Sequence, residues 1–282
     1  MEDIKKKISS LELTKKEKLI ADYILDNFNT IGLSTVTDVA QKIGVSDTSV
    51  IRFIRSLGFG GFSDFKKYMG GLILEQVNEN LSPSQKYKRT SGSLNKDSVV
   101  ADVFYKAIDN LSDALQQMES KKTEEIADCL INSKRKFVVA FRGTSCCAQY
   151  FCRKARFFLP NIVLCDKAES ETMEAMVDLQ EGDCVFMFSF PRYSKLNFII
   201  AEHAKQCGAK LIVVTDRVTS PLISLADYYF TVPVGGVGFT NSYVAPLCLA
   251  ESLAILIGKK LGEKAEPRLK LMDDIINESQ LF

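Results

Sequence analysis

The sequence predicts an all-α bundle at the N-terminus followed by an α/β domain built on a parallel sheet. Three observations carry that expectation. From Leu13 to about Tyr68, apolar residues recur at spacings of three and four, with capping residues at the segment ends. From Lys136 onward, short continuous apolar runs alternate with helical stretches, as strands buried on both faces do. Between the two, Leu81 to Ser98 is polar, holds Pro83 and Gly92, and shows no periodic apolar face, which marks a linker. The expected division is 1–77 for a helix-turn-helix bundle, 78–98 for the linker and 99–282 for the α/β domain. A chain of 282 residues is long enough for two such domains.

The first helix opens at Leu13-Thr14-Lys15-Lys16-Glu17, where Thr14 and Glu17 are spaced to form a reciprocal capping box, and it runs through Ile20, Ile24 and Leu25. Two short helical patterns then flank a turn at Gly44. In the second, Ser46 is placed to cap the N-terminus, while Val50, Ile54 and Leu57 mark one buried stripe. Thr48, Ser49, Arg52 and Arg55 share the opposite face, hydroxyls first and guanidiniums further on. That order suits a helix lying in a major groove, where hydroxyls and Arg forks reach base edges and phosphates. A solvated amphipathic face is the plainer account of the same residues. Beyond it, Gly58 to Lys67 turns sharply and starts another helix bearing paired lysines, for about four or five helices in all. Ser46, Thr48, Ser49, Arg52, Arg55 and Lys66 are the candidate DNA-contacting residues.

The stretch from Leu13 to about Tyr68 resembles the N-terminal domain of RpiR/MurR-type bacterial transcriptional regulators. The resemblance lies in LTKKEKLIADYILDN, in the V-T-D-V-A-x-x-I-G-V-S turn, in S-V-I-R-F-I-R-S-L-G-F and in the G-F-S-D-F-K that closes it. It implies double-stranded operator DNA as a partner, and a sugar isomerase (SIS) domain in the remainder of the chain.

After the linker, Val100, Phe104, Ala107, Ile108, Leu111, Leu115 and Met118 form one stripe on a helix from about Val99 to Glu119, and a second helix spans Thr123 to Ser133. The expected strands are FVVAF at 137–141, NIVLC, DCVFMFSF, KLIVVT and YYFTVPV, with helices between them. Helices at Ala245 to Leu261 and Glu266 to Ser279 follow. Ligands of open α/β sheets bind beyond the C-terminal strand ends, and two loops there carry suitable chemistry. Arg142-Gly143-Thr144-Ser145 offers close backbone approach, hydroxyls and a helix N-terminus that favours an anion. Ser189-Phe190-Pro191-Arg192-Tyr193-Ser194 places a guanidinium between two hydroxyls. Ordinary helix capping accounts for either loop alone; both together fit a phosphate-bearing ligand.

Val100 to about Leu261 resembles the SIS domain, a flavodoxin-like fold that binds phosphorylated sugars. The first loop is similar to the G-x-G-x-S element, with Gly143 as its second glycine and Ser145 as its serine. The second is similar to S-x-S-G-x-[ST], from Ser189 to Ser194. Phe141 stands where the first glycine would be, and Pro191-Arg192 replaces Ser-Gly. The resemblance implies a small anionic sugar, most simply a sugar phosphate, held by Arg142, Gly143, Thr144, Ser145, Ser189, Arg192, Tyr193 and Ser194. Arg192 suits bidentate phosphate binding; the alternative it leaves open is a different ligand, such as a carboxylate-bearing or an unphosphorylated sugar.

A formal net charge of +1 gives no global nucleic-acid footprint, so DNA affinity must come from a local basic surface. No apolar run reaches the ~18 residues of a membrane span, and MEDIKKKISS lacks an apolar export core, so a cytoplasmic protein is expected. The eight cysteines all lie from Cys129 onward; without C-x-x-C pairs and with a single histidine they read as reduced packing residues rather than zinc ligands. Cys146, near a helix start, is the one placed for thiolate chemistry. No cofactor, metal or catalytic set is expected. The competing reading is a phosphosugar isomerase or etherase, for which His203, Glu169, Glu171 and Glu174 are the available acid–base groups. A homodimer or larger assembly is expected, because linked DNA-reading heads raise affinity through effective concentration.

Overall fold

The computed structural model describes residues 13–27, 34–69, 83–91 and 98–279, together with Ile4, Lys7, Ile8, Leu11 and Ile31. The chain divides into two compact units, Met1–Ser82 and Pro83–Phe282.

The first unit is helical: α1 (Lys15–Asp26), α2 (Val36–Ile43), α3 (Asp47–Ser56) and α4 (62–69). The expected capping box forms, with the Thr14 hydroxyl donating to Glu17 at 2.7 Å and its oxygen accepting from the Glu17 amide at 3.4 Å. Thr35 and Asp38 build a second one at the start of α2. Gly44 ends α2 in the left-handed region at φ 77, and its amide returns to Ala40 O at 2.9 Å. Ile20, Ile24, Val39, Val50, Phe53, Ile54, Leu57 and Phe65 interlock as one core, so each helix is held by its apolar stripe rather than by propensity.

The second unit begins with α5 (Pro83–Ser91), a helix inside the segment expected to be a linker. Pro83 suits the first helical position, whose N–H has no intrahelical partner. Tyr87 anchors it edge-on against Phe239, with ring centroids 5.5 Å apart. One aromatic contact is too sparse to register as a periodic face. Residues 78–82 and 92–97 of that segment lie outside the described residues.

Then follow α6 (Val99–Gln116), α7 (Ser120–Asn132), β1 (Lys136–Ala140), α8 (Ser145–Ala155), β2 (Ile162–Cys165), α9 (Ser170–Val177), β3 (Cys184–Phe188), α10 (Lys195–Gln206), β4 (Lys210–Thr215), β5 (Tyr228–Thr231), α11 (Val244–Leu261) and α12 (Glu266–Ser279). All pairings in the sheet are parallel, in the order β2-β1-β3-β4-β5. Alternation along β1 sends Val138 and Ala140 into a core shared with α7, α8 and α11, and Phe137 and Val139 into one shared with α9 and α10. Helices therefore cover both faces.

All eight cysteines are free. Cys147, Cys152, Cys165 and Cys184 are buried, and burial pushes the thiols of Cys152 and Cys184 up to about 12. Cys146, the one cysteine set apart in the sequence, is exposed; Cys248 is exposed as well, contrary to the packing role expected of it, because it falls on the outer face of its helix. No helix among the described residues is long and apolar enough to cross a membrane.

Candidate functional site

In the first unit, Val50, Phe53, Ile54 and Leu57 turn α3 inward, which leaves Thr48, Arg52 and Arg55 exposed on the other side at spacings of four and three. Ser46 caps α3: its oxygen accepts from the Ser49 amide at 3.3 Å and pairs with the Ser49 hydroxyl at 2.9 Å. Ser49 is thus half-buried and tied into the cap, whereas Thr48 faces solvent. Asp47, at the positive end of α3, accepts from the Thr37 hydroxyl at 2.8 Å and so joins the two helices across the turn. Lys66 is half-buried on α4, close enough to act on Asp38. The hydrogen bonds from Thr35, then the charges of Lys42 and Lys66, outweigh desolvation and hold Asp38 below the usual carboxylate range.

In the second unit, β1 and β3 are neighbours whose crossovers run to opposite sides, one to β2 and one to β4. Where connections part in this way, a crevice opens beyond the C-terminal strand ends. A cavity of about 370 Å³ lies there. It is lined by Arg142, Gly143 and Thr144 from the first loop and by Ser189, Arg192 and Ser194 from the second. Six of the eight expected contributors are thereby brought together. Ser145 and Tyr193 do not line it. Ser145 is taken up as the first residue of α8, and the Tyr193 hydroxyl turns away to donate to Asp216 Oδ1 at 2.6 Å. Burial and the Asp216 carboxylate both push the Tyr193 phenol well above its ordinary range, so it stays a neutral donor to Asp216.

Arg142 and Arg192 both hold φ 62, the left-handed region that L side chains avoid at a cost of about 1–2 kcal/mol. At Arg192 the backbone keeps the conformation of the glycine expected in such a loop, although the side chain is a guanidinium. Neither arginine is ion-paired among the described residues. Thr144 donates to Phe141 O at 2.8 Å, so its proton is spent within the loop. The Ser194 oxygen accepts from the Leu196 amide at 3.3 Å as the cap of α10 and retains its proton for donation.

Asn197, Phe239, Thr240, Asn241 and Tyr243 also line it and were missed in the sequence. Four of them belong to the segment after β5, which the sequence suggested only as a strand end. Its glycine run was the available signal. A Cβ on Gly236 would lie 2.3 Å from Thr240 O, so the loop closes only with glycine there. Its base is fixed by Asn110 Nδ2, which donates to Gly235 O at 2.7 Å, and by the Ser242 amide on Val234 O at 3.0 Å. Asn197, three residues after the cap, points inward from the first turn of α10. No carboxylate or imidazole is among the lining residues.

Residues 2–73 match the model of the helix-turn-helix domain of the rpiR family, and residues 129–256 match that of the SIS domain. An uncharacterised HTH-type transcriptional regulator of Clostridium perfringens is 23% identical over 271 residues, 94% of this chain and 95% of the relative. The sugar isomerase domain of an RpiR transcription factor from Sphaerobacter thermophilus superposes with a TM-score of 0.60 at 20% identity, covering 63% of this chain and 99% of that one. The Vibrio vulnificus NanR protein, solved with ManNAc-6P, gives a TM-score of 0.55 at 18% identity over 96% of both chains. These two likenesses concern the fold.

Proposed function

For a chain that joins the helix-turn-helix domain of the rpiR family to a SIS domain, we propose a DNA-binding transcriptional regulator whose α/β domain senses a sugar phosphate or related anionic sugar. The observation that carries the effector half is the cavity at the β1–β3 strand ends, whose lining presents two guanidiniums without an ion pair among the described residues and several hydroxyls, but no carboxylate. A site rich in donors and poor in bases binds anions without turning them over. His203, the sole imidazole, is committed elsewhere, with Nε2 2.9 Å from Met176 O. Glu169, Glu171 and Glu174 are exposed and outside the lining. These placements favour a sensor over an isomerase or etherase, and the names of the relatives point the same way.

The DNA half rests on the exposed Thr48, Arg52 and Arg55 face, with Ser46, Ser49 and Lys66 in support. The protein acts in the cytoplasm on duplex operator DNA, as a homodimer or larger assembly whose two-fold symmetry matches a palindromic site. Ligand binding shifts the placement of the two heads, a coupling typically of about 1–3 kcal/mol, and reciprocity requires that operator alter effector affinity by the same factor.

The test begins with thermal shift over a panel of sugar phosphates that includes ManNAc-6P, since a ligand of the folded state raises apparent stability. The strongest binder then goes to calorimetry with wild type and an Arg142→Ala, Arg192→Ala variant. Equal affinities would remove the site from these loops. On the DNA side, Arg52→Ala with Arg55→Ala should weaken operator binding and flatten its log–log salt slope by about two if both contact phosphates. An unchanged affinity at matched salt would dismiss the face.

A further inference from the structure

Tyr87 on α5 meets Phe239 edge-on, with ring centroids 5.5 Å apart and planes at 84°. Phe239 also lines the cavity at the β1–β3 strand ends. Both residues belong to the second unit, and α5 is its first element after the boundary at Ser82. The chain leaving the helix-turn-helix unit therefore enters the second unit at a helix that touches the cavity wall. That wall segment is fastened at its base: Asn110 Nδ2 holds Gly235 O, the Ser242 amide holds Val234 O, and Gly236 closes against Thr240 O. Its tip is more open, since a Cβ on Gly238 would meet nothing and Phe239 is 43% exposed. The helix α5 is lightly held as well. Its 9 residues are too few for a helix to be stable alone in water, and Ser84, Gln85, Tyr87 and Lys88 are exposed. An edge-on aromatic pair favours docking by only about 2- to 10-fold. Two lightly held elements that share a contact bias each other, so whatever fixes Phe239 also favours docked α5.

We infer that α5 is a clasp governed by occupancy of the cavity: a bound anionic sugar holds Phe239 in place, Phe239 holds Tyr87, and α5 stays docked. This rests on the reading of the cavity as an anionic-sugar site. A sugar there packs beside Thr240, Asn241 and Tyr243, which share the wall segment with Phe239 and transmit its presence to the tip. Docking in turn sets the length of the tether. With α5 docked, the connection that leaves α4 ends at Pro83; with α5 released, it runs on to α6 at Val99. A longer flexible tether lowers the effective concentration at which linked heads meet one operator. Cavity and helix-turn-helix unit are thus coupled through the chain itself, with Tyr87 as the residue that closes the link.

The sequence supplies the readout. Trypsin can cut within α5 after Lys86, Lys88 and Arg89, and no site lies between Lys67 and Lys86. Cleavage of a helix requires that it open, so its rate follows the undocked population. Full-length wild type, Tyr87→Ala and Tyr87→Phe are titrated by calorimetry with glucose 6-phosphate, fructose 6-phosphate and ManNAc-6P, then digested with and without each binder at saturation, with fragments identified by mass. A binder should slow cleavage within α5 by about threefold or more in wild type and in Tyr87→Phe, which keeps the ring. In Tyr87→Ala, cleavage should be fast and indifferent to the same binder. Because linkage is reciprocal, the affinity of Tyr87→Ala for it should fall by about 2- to 10-fold. General stabilisation by the ligand would slow cleavage in all three proteins alike. The clasp alone is overturned if a bound sugar phosphate leaves cleavage in α5 unchanged or speeds it, or if Tyr87→Ala is protected as well as wild type and binds as tightly. Wild type that binds none of the three probes would overturn the anionic-sugar reading and the clasp with it.

Discussion

Arg192 holds a glycine-like backbone while presenting an arginine side chain, so in the effector role proposed for it stability and ligand binding pull in opposite directions. Replacing it with glycine removes both the strain and the guanidinium; replacing it with alanine removes only the guanidinium. We therefore expect Arg192→Gly to be more stable than Arg192→Ala by about 1 kcal/mol in chemical denaturation, with both equally weakened in effector affinity. Equal stability of the two variants would mean that the left-handed conformation carries no strain. Strained residues persist where the surrounding structure over-determines them, and here two arginines at φ 62 flank one cavity. Gly236 is the converse case. A Cβ there meets backbone rather than a flexible side chain, so the loop carrying Phe239 to Tyr243 would have to open, and the cavity wall with it.

The elements of the sheet are joined at their N-terminal ends by a charge pair remote from the cavity. Asp183, before β3, accepts from Arg135 Nη2 at 2.7 Å and from the Arg135 and Gln180 amides at 3.1 Å, and Arg135 also donates to Asp178 O. Burial pushes the Asp183 carboxyl up, but the hydrogen bonds from Arg135 and Gln180 and the guanidinium charge together outweigh it and hold it below the usual carboxylate range. A depressed folded pKa contributes stability above the unfolded value of about 3.9, and that contribution is lost as pH falls through the lower folded value. Asp183→Asn should cost about 3 kcal/mol at pH 7, since it leaves a half-satisfied pair at the strand start. The gap between variant and wild type should narrow in melts taken near pH 3. A gap that stays constant across that range would assign the loss to packing rather than to the pair.

At the scale of the whole molecule, α6 presents Val100, Phe104, Tyr105, Ile108 and Leu115 to solvent, with Phe104 at 68% and Leu115 at 75% exposure. Large apolar side chains gathered on one helix mark an interaction surface. Ile255 on α11 and Leu271 and Ile275 on α12 are exposed as well. We propose that the α6 face serves self-association, which would give the proposed regulator a second DNA-reading head and so raise its operator affinity through effective concentration. Light scattering at micromolar concentration should give at least twice the chain mass. Phe104→Glu with Ile108→Glu should return it to monomer and weaken operator binding at least tenfold at fixed salt. A monomeric wild type, with and without DNA, would end that assignment.

The periodicity of apolar residues, the Thr14–Glu17 spacing, the Gly44 turn and the continuous apolar strands are local properties, so the sequence by itself determined the helical N-terminal unit, the parallel α/β unit and the residue types at both strand-end loops. It also placed Arg52 and Arg55 opposite the buried stripe, because helix geometry relates residues three and four apart without reference to the rest of the chain. The order of the strands, and with it the crevice between β1 and β3, comes from pairings between distant segments. Only those pairings decide that Tyr193 turns to Asp216, that α5 docks through Tyr87 onto Phe239, and that the glycine-rich segment after β5 folds back as a cavity wall. Asn197 belongs to the same class. An asparagine early in an amphipathic helix is unremarkable in sequence, and only the packing of α10 against β3 buries it and sets its Nδ2 on Ser189 Oγ at 2.7 Å.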